Sequence, residues 1–64
     1  MDTLSKLHPI KFGELALGQR FYDPISAEYF VKRSESTAAM VSGEGDGTIP
    51  DDFEADDVVG VGLN

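Results

Sequence analysis

Glu28-Tyr29-Phe30-Val31-Lys32-Arg33-Ser34 is the stretch that decides the fold. Aromatic and β-branched residues lead it, and such side chains fit a pleated, half-buried surface. Tyr29, Phe30 and Val31 put apolar groups on both faces of that strand, so one face must be covered or remain as a patch. Upstream, Arg20-Phe21-Tyr22-Asp23 reads as a short aromatic strand stopped by the turn-initiating pair Asp23-Pro24. Downstream, Thr37-Ala38-Ala39-Met40-Val41 follows across the polar Glu35-Ser36 junction, a spacing that suits a hairpin.

Further out the strand signals continue. Gly43, Gly45 and Gly47 alternate through a flexible loop, and Thr48-Ile49-Pro50 through Phe53 reads as an edge strand, because Pro50 cannot donate to a ladder. Val59, Val61 and Leu63 alternate with Gly60 and Gly62, a period of two that turns the bulky face to the core. Asp56-Asp57 before it suits a single 3-10 turn. On the other side, the spacing of Phe12 and Leu15 predicts one helical turn or tight bend, with Gly18 free to take the left-handed conformation that ends it. Residues 1–11 hold few apolar anchors and Pro9, which predicts a flexible N-terminal arm ahead of a single domain over residues 12–64. Five short strands with no long helical period call for an all-β fold, a small closed or nearly closed barrel.

Composition narrows the function classes. The chain has 64 residues and no cysteine, so one thin core must hold it without disulfides or a thiolate metal cage. No apolar run approaches a membrane span and the first 15 residues lack a signal core, which predicts a cytoplasmic protein without membrane contact. Its net charge is −7, and the distribution is uneven. Lys6, Lys11, Arg20, Lys32 and Arg33 all precede Ser34, beside Asp2, Glu14, Asp23 and Glu28; the remaining eight acids stand without a base. Direct nucleic-acid binding needs clustered cations and is not expected, whereas a protein partner with a basic surface is.

The chemistry-bearing patterns resolve mostly into scaffold. Ser42-Gly43-Glu44-Gly45-Asp46-Gly47-Thr48-Ile49 resembles a calcium loop, but its first position is Ser42 and its twelfth is Phe53 where a bidentate Glu is needed, so no metal site is expected. The same glycines are followed by no helix with a lysine, which rules out a phosphate cradle. His8 stands alone, without a second ligand at metal spacing. Carboxylates abound, yet a general acid or base must be desolvated, and so small a barrel has little interior for that; neither enzyme activity nor a cofactor is expected.

Two surface candidates remain. Tyr22, Tyr29, Phe30, Lys32 and Arg33, with Arg20 nearby, mix aromatic and basic groups as a contact for a protein partner. Asp51, Asp52, Glu54, Asp56 and Asp57 form an acidic surface, read first as a solubilising loop and second as a mimic of nucleic-acid phosphate.

The series Phe12-x-x-Leu15-x-x-Gly18-x-x-Phe21, then Phe30-Val31-Lys32 and Ala38, then an acidic segment before a Val-rich last strand, resembles small uncharacterised proteins of phages and bacterial mobile elements. Those resemble Src-homology-three-like barrels. The resemblance spans residues 12–63 and implies a five-stranded barrel of that kind with a short helical or 3-10 turn. It also implies an accessory protein that inhibits host machinery such as CRISPR or restriction defence. It assigns no catalytic residue. An acidic nucleic-acid mimic and a self-associating structural subunit are the alternative functions.

Overall fold

The computed structural model describes residues 7–43 and 45–62. Six strands, β1 (Leu7–Lys11), β2 (Arg20–Asp23), β3 (Glu28–Lys32), β4 (Thr37–Met40), β5 (Pro50–Asp52) and β6 (Val58–Gly62), form one antiparallel sheet ordered β1-β6-β2-β3-β4-β5. The fold is all-β. Its one helical element among the described residues is a 3-10 turn, Phe12–Glu14, where the sequence predicted an opening turn. Gly18 does take a left-handed φ of 84°, but in a second turn closed by Gln19 N donating to Ala16 O, after the 3-10 turn has already ended.

The decisive stretch lies at the centre of the ladder. Phe30 of β3 pairs with Phe21 on one side and Met40 on the other, so a single register aligns three core-facing side chains across β2, β3 and β4. All four phenylalanines then meet in one cluster. Phe12 stacks on Phe53 with centroids 4.9 Å apart, and Phe53 meets Phe21 and Phe30 edge-on at 5.4 and 5.2 Å. Offset-stacked and edge-to-face pairs at such distances add to the burial of the rings themselves. Leu15, Ala38 and Val59 complete the buried cluster.

Two expectations are corrected here. Residues 7–11 belong to a strand and not to a flexible arm: Ile10 pairs with Val59 and packs against the core, and Leu7 lies over Gly60, where an added Cβ would stand 3.1 Å from the Leu7 side chain. Gly60 of β6 therefore leaves room for β1. The second correction concerns number and closure, since there are six strands and β1 and β5 remain edges. Each edge strand carries a proline, Pro9 or Pro50.

The edges nonetheless curl toward each other. Phe12 follows β1, Phe53 follows β5, and their rings stack across the gap. Phe12 N donates to Asp57 O at 2.7 Å and Gly13 N to Ala55 O at 3.0 Å, which ties the end of β1 to the turn before β6. The approach is close enough to require glycine, as a Cβ on Gly13 would sit 2.9 Å from the Ala55 Cβ. That turn is closed by Asp57 N donating to Glu54 O and is not a 3-10 helix, although residues 56 and 57 were expected to form one. Val59 is buried and Val61 packs against the core as the period of two predicted, while Leu63 lies outside the described residues.

Candidate protein-binding face

Alternation along β2 and β3 sends Phe21 and Phe30 inward, and with them goes every second neighbour. Lys32 is in phase with Phe30 and is only 4% exposed. Its Nζ donates to Phe12 O at 3.0 Å and Leu15 O at 2.8 Å and lies 4.7 Å from the Phe12 ring centroid. Two carbonyls and an aromatic face thus replace the water that a buried amine gives up. Phe30 and Lys32, expected at a partner contact, are therefore core and tether, and neither is accessible to a partner.

The opposite phase faces outward. Tyr22 and Tyr29 stand directly opposite each other across β2 and β3, both half-buried, with rings 5.1 Å apart in a T-shaped pair. The Arg20 guanidinium lies 4.8 Å from the Tyr29 centroid, so Arg20, Tyr29 and Tyr22 form a continuous stack. Such cross-strand aromatic pairs fix the rings as well as stabilise the sheet. Arg33 is exposed beyond the end of β3.

Beside this stack Leu7 of β1 covers Gly60. Tyr22 also pairs with Gly60 of β6, and a shallow groove of about 250 Å³ runs between Tyr22, Leu7, Pro9, Pro24 and Val58. The groove is not legible in the sequence, because β1, which supplies Leu7 and Pro9, is not expected there to be ordered.

The acidic candidates all lie on the surface, Asp51 and Asp52 on edge strand β5 and Glu54, Asp56 and Asp57 in the turn that follows. Asp56 faces Lys11 at 3.9 Å, the one ion pair among the described residues, and both side chains are largely exposed. Asp57 Oδ2 accepts from Glu54 N at 2.9 Å. In the glycine loop, oxygens that resembled calcium ligands point to internal partners. Ser42 Oγ accepts from Tyr29 N and donates to Glu28 Oε1, and Asp46 Oδ1 accepts from both Thr48 N and Thr48 Oγ1. Those last two bonds hold the Asp46 carboxyl below its ordinary pKa, the side-chain bond foremost. Glu44 lies outside the described residues. His8 is exposed on β1.

Among the described residues no helix is long and apolar enough to cross a membrane, and no group of three or more acids and histidines is placed to hold a metal ion. No protein-family model, curated protein or solved structure matches the chain.

Proposed function

We propose that this chain is a non-enzymatic, cytoplasmic protein-binding module whose contact face is the Arg20, Tyr29 and Tyr22 stack with the groove over Gly60. The stack is the observation that carries this reading: it is a preordered aromatic and arginine surface on rigid strands, continuous with apolar ground. Aromatic and arginine side chains supply most of the energy at protein interfaces, and those already held in place lose less entropy on binding. The uniformly acidic second half speeds encounter with a basic partner, as rim charges do.

The finer architecture belongs to the same reading. We take the curled sheet as an incompletely closed Src-homology-three-like barrel, supported by the Phe12 and Phe53 stack and by the hydrogen bonds from Phe12 and Gly13 across the gap. An accessory role for a phage or mobile element, inhibiting CRISPR or restriction defence, is the most concrete version and is supported only by the residue pattern from Phe12 onward.

Affinity capture from a bacterial lysate, at low and at high salt, tests the reading. Tyr29→Ala, with a native-like amide spectrum, is expected to lose the captured protein at both salt concentrations, whereas Asp51→Asn with Asp52→Asn mainly loses salt sensitivity. Acids dominant and Tyr29 indifferent would instead identify a nucleic-acid mimic.

A further inference from the structure

A second groove lies beyond Val58, which borders both it and the groove beside the tyrosine stack. Between the β2–β3 loop and β5 is a cleft of about 360 Å³ whose accessible apolar floor is Met40 and Phe53, above the buried Phe30. Asp23, Asp51, Asp52 and Asp57 also line it. A neighbouring depression of about 290 Å³ shares Met40 and Asp51 and extends the cleft to Ile49. At its two ends stand the two most exposed large apolar side chains among the described residues, Ile25 at 93% and Ile49 at 74%.

Neither isoleucine alone marks a contact, but with Met40 and Phe53 between them they border one apolar groove. Asp51 and Asp52 have neither a cation nor a side-chain hydrogen bond among the described residues, unlike Asp57, which caps Glu54 N, and Asp23, which accepts from Ile25 N and Ser26 Oγ. Among the described residues no three carboxylates are placed to hold a metal ion, so these acids border a groove and do not form a cation cage.

We infer that this groove binds a short basic segment of another protein, with an arginine or lysine set between apolar side chains. The alternation in the groove dictates the alternation in the segment. A long basic side chain lays its methylenes on Met40 and Phe53 and carries its charge out to Asp51 and Asp52, while its apolar neighbours cover Ile25 and Ile49. Charge complementarity selects this occupant. A second copy of a chain with net charge −7 is repelled, as is a nucleic acid or an anionic membrane surface.

The test is an amide NMR titration of the full chain with a capped seven-residue peptide, one arginine flanked by leucines between Gly-Ser ends. Saturable shifts are expected at Ile25, Met40, Ile49, Asp51, Asp52 and Phe53, with a midpoint at or below about 1 mM. Replacing the arginine by glutamine, or the protein's pair by Asp51→Asn and Asp52→Asn, should weaken binding about fivefold, as two solvent-facing ion pairs allow. Ile25→Ser with Ile49→Ser should do the same while the spectrum stays native-like, since both side chains are exposed. Tyr29→Ala should leave the titration unchanged. Shifts that never saturate, that spread over all acidic residues, or that survive the glutamine peptide undiminished would overturn the inference. So would a concentration-dependent mass of the free protein with the same amides shifting, which would make a second copy the occupant.

Discussion

Lys32 grips Phe12 twice: its Nζ donates to the Phe12 carbonyl oxygen at 3.0 Å and stands 4.7 Å from the centroid of the Phe12 ring. The middle strand is thereby fastened to the 3-10 turn, and the turn carries Phe12 into the core.

Lys32→Met keeps much of the volume and removes the donor, leaving the Phe12 and Leu15 carbonyls without it. Hydrogen bonds to charged groups contribute about 1.5–3 kcal/mol, and a loss of that size is expected in urea unfolding. A variant as stable as the parent would show that the desolvation of the amine cancels its bonds.

Phe53→Ala removes the ring that joins Phe12, Phe21 and Phe30 across the open side of the sheet. Phe53 is half-buried, so the expected cost is about 3 kcal/mol, the lower end for a truncated core phenylalanine. In a domain this small that leaves little stability. Broadened thermal unfolding is the expected signature, and an unchanged midpoint would remove Phe53 from the core.

Ala27 closes the β2–β3 loop at a φ of 61°, with its N–H donating to Asp23 O at 2.8 Å. A Cβ is unfavourable in that region, whereas glycine enters it freely. Ala27→Gly should raise stability by about 0.5 kcal/mol, the relief of strain exceeding the extra freedom glycine has in the unfolded chain. A lower urea midpoint would contradict this.

Asp46 is fully exposed, and its carboxyl titrates below the ordinary value because Thr48 donates to it, first through Oγ1 and then through N. A depressed folded pKa means that the loop contact is intact above the unfolded value of about 3.9 and is lost as the pH falls through the lower folded value. The Thr48 amide shift should titrate with a midpoint below the unfolded value of about 3.9. Asp46→Ala should abolish that movement.

Much of the sheet is legible in the sequence where one physical signal dominates. β2 is bounded by the Asp23-Pro24 turn, and β3 and β4 by the polar junction at residues 35 and 36, so their positions follow from local chemistry. Lys32 is different, because two rules compete for it. Its phase with Phe30 points inward, while lysine is almost never buried, and only the carbonyls of Phe12 and Leu15, distant in sequence, resolve the conflict. β1 was illegible for a similar reason: Pro9 interrupts a short segment in which Ile10 is the one β-branched residue, and what orders it is the space over Gly60 and the core beside Val59. The tyrosine pair was legible as surface, but its groove and the cleft between Ile25 and Ile49 depend on how the sheet curls.

The two prolines of the edge strands bear on how the molecule behaves in a crowded solution. A proline inside a paired strand is tolerated where its nitrogen points away from the partner strand, so Pro9 leaves a gap in the row of donors along the free side of β1. Pro50 does the same at the start of β5, where Asp51 and Asp52 add like charges that oppose a second copy. A strand that added at either rim would find that donor missing, and at β5 it would also meet the two carboxylates. Both described edges thus disfavour growth of the sheet by strand addition.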